Sequence, residues 1–422
     1  MSQAGPASDS SGLVNRQTAP VFSIFFMWGL GTGALWVVRP LFAAELAEGT
    51  AQALFLVGLV SAASAAPRIL SGPITGILAD RWGRRPLILL AAFGQGTTLV
   101  LQFFSQNYLQ YILLELVAGL AIATWNVSSN VLVADITKVS NRGRGVALRG
   151  MSQRAGMLAG PLLAGIIAAT WDLRYAFLFM AATKVVVILI TKFLVKETNP
   201  ERRERREPNA PGHAARPPRA RLEWGMFANK AFIALVCATL AYGMIGVGPG
   251  VFRTFFPVFL NDNAGLGTTL IGTLMSVAMA VTIAATLPVG VLLDARGRRF
   301  PMFTGLVVTA ASAYLMAITG SFALALLTVL VFGIAEAFNQ GSVQTYAMDL
   351  APPDKRGAFL GIWHVAMNTG QFAGPLGIGL VASLLGMTTA FLIMGAIVAA
   401  AALAVLLLAA ETRRGTPQAE SA

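Results

Sequence analysis

Gly76-Ile77-Leu78-Ala79-Asp80-Arg81-Trp82-Gly83-Arg84-Arg85 closes a long apolar run on an aspartate and follows it with three arginines. The pattern returns 214 residues later as Gly290-Val291-Leu292-Leu293-Asp294-Ala295-Arg296-Gly297-Arg298-Arg299. That offset is about half the chain, which marks two copies of one unit. The same offset carries Arg39 onto Arg253, Asp135 onto Asp349 and Arg142-Gly143 onto Arg356-Gly357. It also carries Gly156-x-x-x-Gly160-Pro161 onto Gly370-x-x-x-Gly374-Pro375. Chance can place one such pair, but not five in chain order.

The repeat is built almost entirely of apolar residues. The chain has 422 residues, 56% hydrophobic and only 12% charged, against about 25% charged in a soluble domain. An integral membrane protein is therefore expected. The net charge of +12 sits in short arginine clusters between apolar runs. No basic face with interleaved aromatics accompanies it, which argues against a nucleic-acid partner. The single cysteine, Cys237, lies inside an apolar run, so no disulfide framework is expected. Met1 to Pro20 is polar with one arginine, and the apolar run after it is too long for a signal-peptide core. It is expected to be an uncleaved first span.

A bilayer core takes about 20 apolar residues per helix, and twelve runs qualify. The first six are Ala19 to Leu46, Leu54 to Ala79, Pro86 to Phe104, Tyr108 to Ile136, Gly145 to Thr170 and Arg174 to Val195. The second six are Ala231 to Leu260, Leu270 to Leu293, Pro301 to Gly320, Phe322 to Asp349, Gly357 to Leu385 and Thr389 to Ala410. Lipid cannot satisfy an open backbone, so these runs must be helices. The expected fold is all-α, with twelve transmembrane helices in two pseudo-symmetric six-helix bundles. Residues 1–18 form an N-terminal tail, 19–195 the first bundle, 196–230 a basic linker, 231–410 the second bundle and 411–422 a C-terminal tail.

Alternate loops carry Arg81, Arg84 and Arg85; Lys138, Arg142 and Arg144; Arg296, Arg298 and Arg299; and Lys355 and Arg356. The loops between them lack lysine and arginine, apart from Arg174 beside Asp172. The positive-inside rule then puts both termini in the cytoplasm and the protein in the inner (plasma) membrane. In the linker, the run Glu201 to Glu207 reads as a short helix lying on anionic lipid. Pro208, Pro211, Pro217 and Pro218 follow it and favour an extended tether.

At these residues the chain resembles the major facilitator superfamily. The signature loop of that family, G-x-L-a-D-r-x-G-r-r, is matched at every fixed position by Gly76 to Arg85, and Gly290 to Arg299 is a weaker echo. The resemblance covers nearly the whole chain and implies two bundles rocking about a midplane site. It also implies a gating set of Gly76, Asp80, Arg81, Gly83, Arg84, Arg85, Arg142, Gly290, Asp294, Gly297, Arg298 and Arg356. Asp80 and Asp294 end their helices on the basic side. A carboxylate there can meet the positive N-terminus of the fifth or eleventh helix when the bundles close on that side. Gly156, Gly160, Pro161 and Gly165 resemble a motif found mainly in the family's antiporters, including drug/proton exchangers, although Ala164 stands where a paired glycine is usual. Physically, Gly156 and Gly160 lie one turn apart and allow close helix contact, and Pro161 can bend the helix.

Ionisable residues inside spans are costly and are functional candidates. They are Arg39, Arg68, Glu115, Arg154 and Lys184 in the first half and Arg253, Glu336 and His364 in the second. In the family's architecture helices 1, 4, 7 and 10 line the cavity, which puts Arg39, Glu115, Arg253 and Glu336 nearest a solute. Arg39 and Glu115 lie at similar depth, so an ion pair competes there with a proton or solute role. Glu336 sits mid-helix with no partner evident in the sequence, and is the sharper proton-coupling candidate. Trp125, Asn126, Asn130, Phe338, Asn339 and Gln340 mix aromatic and amide groups that suit an organic ligand, or hydrogen bonds between helices.

Two function classes follow. One is proton-coupled export of small organic solutes. The other is organic-anion or organophosphate exchange, or uptake, through Arg39 and Arg253. A sensor or scaffold would not need duplicated gating motifs. No phosphate-cradling loop, metal-ligand cluster or nucleophile–histidine–acid set points to an enzyme. The expected partners are a small-molecule solute, protons and the lipid bilayer, with no cofactor and no metal, and the expected state is a monomer.

Overall fold

A computed structural model of the chain describes residues 18–137, 142–198, 229–246, 248–352 and 356–412. The Glu201–Glu207 run, its following prolines and the distal tail lie outside the described residues. So do the side chains of Asp80, Arg142 and Arg356. The described chain is all-α. In the first half it forms α1 (Ala19–Leu46), α2 (Ala53–Trp82), α3 (Arg84–Phe103), α4 (Tyr108–Ile136), α5 (Arg142–Thr170) and α6 (Tyr175–Leu194). In the second it forms α7 (Lys230–Ile245), α8 (Val251–Asp262), α9 (Thr268–Arg296), α10 (Arg299–Ala317), α11 (Phe322–Leu350), α12 (Arg356–Leu385) and α13 (Met387–Leu408). Among the described residues, eight helices are long and apolar enough to cross a membrane, and Ala53–Ile69 and Lys230–Ile245 are shorter apolar stretches.

The seventh run departs from the continuous helix expected of it. It breaks into α7 and α8 around Gly246, Gly248, Pro249 and Gly250. Pro249 has no N–H to donate, and Gly248 adopts φ +57°, a left-handed conformation that disfavours any residue with a Cβ. The signal stood in the composition of this stretch, but apolar periodicity does not register it.

Repeat-related positions perform the same local tasks. Asn107 caps α4 by accepting from Gln110 N at 2.9 Å, and Ser321 caps α11 by accepting from Leu324 N at 3.3 Å. Gly83 (φ +94°) and Gly297 (φ +81°) make the turns from α2 to α3 and from α9 to α10. Within each half, small residues bring helices into backbone contact. A Cβ on Gly156 of α5 would lie 2.1 Å from the Phe26 carbonyl of α1. Its repeat mate Gly370 on α12 would meet the Leu240 carbonyl of α7 at 2.6 Å.

The two halves meet along α2 with α12 and α5 with α9. These interfaces are copies of one another. A Cβ on Gly272 would lie 2.3 Å from Pro161 O, and one on Gly58 would lie 2.2 Å from Pro375 O. Gly165 approaches Thr268 O at 2.4 Å, and Gly379 approaches Leu54 O at 3.0 Å, by the same measure. Each of these residues is displaced by 214 from its counterpart. All four contacts lie toward the face that lacks basic loops. Toward the basic-loop face, a Cβ on Gly76 or on Gly290 would meet no described atom within 4 Å.

Candidate functional site

The basic-loop corners are built first by the turn glycines. With Gly83 leaving no side chain in the way, Glu197 accepts from the Arg84 and Arg85 backbone N–H groups at 3.0 and 3.1 Å. This carboxylate therefore caps the N-terminus of α3, where the helix dipole favours negative charge. Arg84 Nε donates to Asp135 Oδ2 at 3.0 Å, and Arg84 Nη1 donates to Ala79 O at 3.0 Å. In the second half Glu411 accepts from Arg298 N and Arg299 N at 2.8 and 3.3 Å. Arg298 Nε reaches Asp349 at 3.2 Å and Arg298 Nη1 reaches Leu293 O at 2.6 Å. Thr198 and Thr412 each donate to the same aspartates, at 3.0 and 3.2 Å.

Arg84, Arg85, Arg298 and Arg299 thus brace helix ends within one half. Sequence reading missed Glu197, Thr198, Glu411 and Thr412. They share the 214-residue offset, which would have found them. Asp294 differs from the braced residues: its side chain is 82% exposed and its ion-pair partner is Arg298 at 3.5 Å, on its own corner. Arg81 is exposed as well.

The antiporter-like motif is divided between two tasks. Gly156 and Gly160 seat α5 on α1, while Pro161 and Gly165 seat it on α9 across the interface between halves. Leu162 N donates to Ser276 Oγ at 3.2 Å, and Thr268 Oγ1 donates to Gly165 O at 3.1 Å.

Among the described residues, each half holds one ion pair at membrane depth. Arg39 Nε meets Glu115 Oε2 at 3.0 Å, with side chains 8% and 1% exposed. Gln102 Nε2 donates to the other oxygen of Glu115 at 3.0 Å. Arg253 Nη2 meets Glu336 Oε1 and Oε2 at 2.6 and 2.8 Å. Glu336 thus has the partner that its sequence surroundings do not disclose. The break before α8 makes this possible, because Gly246 O is left free of the helix ladder and accepts from Arg253 Nη1. The Arg253 guanidinium also lies 4.0 Å from the centroid of the Trp36 ring of α1, in the opposite half. Both arginines named for organophosphate exchange are therefore neutralised by carboxylates.

Other cations bridge the halves through neutral groups. Arg68 Nη1 donates to Gln371 Oε1 at 3.0 Å, and Asn368 Nδ2 donates to Arg68 O at 3.1 Å. Arg154 donates to Thr286 Oγ1 at 3.4 Å and to Gln340 Oε1. Beside Arg154 lies a cavity of about 230 Å³, between α5, α9 and α11. Gly290, Gln340 and Gln344 are among its lining residues.

Of the aromatic and amide residues expected to face a solute, Gln340 lines this cavity. Trp125 is fully buried in the first bundle, stacked on Trp28 at 3.9 Å. Lys184, also fully buried, lies 4.2 Å from the centroid of the Trp28 ring and donates to Trp28 O at 3.3 Å. Asn339 is buried in the second bundle, donating to Thr309 Oγ1 at 2.6 Å and Ala335 O at 3.0 Å. Phe338 packs on Val289, Leu293 and Ala337, behind the cavity wall. Asn126 is half-buried and Asn130 is exposed on α4. His364 is exposed on α12 and tilts against Trp363. Helical phase on α4 and α11 separates these residues, since neighbours in sequence lie about 100° apart.

Two six-helix bundles in pseudo-symmetric contact, with buried ion pairs and a cleft between them, define a polytopic membrane protein of the carrier type. The chain belongs to the Major Facilitator Superfamily, whose model matches residues 21–281 and 238–422. It is 32% identical over 175 residues to the multidrug resistance protein MdtG of Klebsiella pneumoniae, covering 41% of this chain and 42% of that protein. It is 28% identical over 172 residues to the multi-drug resistance efflux pump PmrA of Streptococcus pneumoniae, covering 41% and 43%. The alignments thus span under half the length of these relatives. The D-xylose-proton symporter has a similar fold, with a TM-score of 0.75 over 95% of this chain and 99% of that one, at 17% identity.

Proposed function

We propose that the protein is a secondary transporter that exports small organic solutes from the cytoplasm in exchange for protons, by alternating access. The observation that carries this reading is the asymmetry of the interface between halves. It is closed by backbone contacts at Gly58, Gly165, Gly272 and Gly379 on one face, while toward the other a cavity opens beside Arg154, Gly290 and Met348. The positive-inside rule favours a cytoplasmic position for that second face, which makes the conformation inward-facing on this reading. Asp294, mostly exposed here, is a latch that engages a helix N-terminus only when the cytoplasmic side closes, and Asp80 is its counterpart. The similarity to multidrug efflux proteins supports organic solutes as cargo.

Glu336 is the proton carrier. Protonation removes its charge and with it the main attraction holding Arg253 over the α7–α8 break and against Trp36. The guanidinium is then free to move with the second bundle, which couples proton binding to the change of access. Glu115 and Arg39 serve as the fixed counterpart in the first bundle. The test is uptake of radiolabelled benzoate and of ethidium, an aromatic anion and an aromatic cation, into inverted vesicles under an imposed proton gradient. Wild-type protein should accumulate at least one of the two until a protonophore collapses the gradient. Asp80→Asn should fold and reach the membrane normally yet transport nothing. Wild-type transport by that variant would remove the latch.

A further inference from the structure

We propose that the open cleft selects a small organic anion, bound by the Arg154 guanidinium. The proposal deepens, and rests on, the export reading above by naming the class of solute. Arg154 reaches across the cleft from the first half, and its partners there, Thr286 and Gln340, are neutral. None of the described residues lining the adjoining cavity carries a carboxylate. The two glutamates at membrane depth are unavailable to it, since Glu115 holds Arg39 and Glu336 holds Arg253. Arg68 also spans the interface on a neutral acceptor, Gln371. With Glu115 on Arg39 and Glu336 on Arg253, neither Arg68 nor Arg154 has a carboxylate partner among the described residues.

An unneutralised guanidinium at membrane depth is costly, and a solute bearing a carboxylate, sulfonate or phosphate monoester relieves that cost through the planar guanidinium fork. Gln340 spends its carbonyl oxygen on Arg154, which leaves its amide N–H groups as donors to the same anion. Val289 and Leu293 give the cavity an apolar wall for the body of the solute, and its volume of about 230 Å³ suits a single ring rather than a polycyclic drug. A cationic solute has no carboxylate there to receive it.

Binding to the purified full chain in lipid nanodiscs tests this. Phenyl phosphate, benzenesulfonate and benzoate share a ring and differ in the anion, and phenyltrimethylammonium is a cation of similar size. At least one of the anions should raise the thermal unfolding midpoint and the cation should not. Arg154→Gln should weaken binding of that anion by about tenfold or more, with Arg154→Lys keeping part of it. A size-exclusion profile matching wild type separates this loss from misfolding. Binding of the cation alone, binding of none of the four, or anion binding unchanged in Arg154→Gln overturns the proposal. Export is read separately, by proton-driven accumulation of the radiolabelled anion and of ethidium in inverted vesicles. Dye export without anion binding removes the anion site alone, and anion binding without any proton-driven flux removes the export reading alone.

Discussion

Arg39 and Arg253 are repeat mates, yet they take their carboxylates from positions that are not. Val329 stands at the repeat mate of Glu115, and Ile122 at that of Glu336. The two acids are displaced by seven residues along equivalent helices, about 10 Å. The first pair is enclosed in its own bundle on unbroken helices, with Gln102 satisfying the second oxygen of Glu115. The second sits over a helix break and touches the opposite half through Trp36. Each half holds one repeat-related cation, and on the proposed mechanism one pair is a structural tie and the other a joint between moving parts. The lesson is that symmetry of scaffold does not carry over to symmetry of chemistry.

Several substitutions separate these roles. The largest effect should come from Glu336→Gln, which abolishes proton-driven accumulation but leaves downhill flux and exchange, both read by counterflow in proteoliposomes. Glu115→Gln should leave coupling in place, and proton-driven accumulation lost equally in the two variants would erase the distinction. Next, Glu115→Ala strands Arg39 in the bundle core and should cost about 3–5 kcal/mol, seen as a lowered unfolding midpoint in detergent. Glu336→Ala should cost less, because Arg253 keeps Gly246 O and the Trp36 ring. Gly248→Ala forces a Cβ into a left-handed residue at about 1–2 kcal/mol and toward Gln371 Oε1, 2.6 Å away. It should weaken the Arg68 bridge. The smallest effect should be that of Trp36→Leu, which removes a cation–π contact of about 0.5–2 kcal/mol and speeds opening of the sealed face, measured by hydrogen exchange in α8.

The sequence disclosed the architecture because membrane spans are written in long apolar runs and the repeat in a single offset. The helix bounds, the duplicated corners and the Arg39–Glu115 pair were all legible on that basis. What escaped was either local backbone chemistry or distant side-chain contact. The α7–α8 break hides in an apolar run because glycine and proline do not disturb hydropathy. Glu197 and Glu411 stand beyond the last turns of α6 and α13, where they read as the start of a linker and a tail. The Arg253–Glu336 contact joins residues 83 apart, and Trp125 and Asn339 face bundle cores rather than the cleft. Pattern along the chain assigns a residue to a helix, but packing between helices decides which way it faces.

The most direct measurement is a pair of distances between spin labels in a Cys237→Ser background, taken by double electron–electron resonance. One pair, at Arg81 and Arg296, reports the basic-loop face; the other, at Glu48 and Asn263, reports the opposite face, and all four positions are exposed. Shifting from neutral to acidic pH should shorten the first distance and lengthen the second, and Glu336→Gln should hold both at one end of that range at either pH. Distances that stay fixed, or that change together with the same sign, would contradict two halves exchanging access across the membrane.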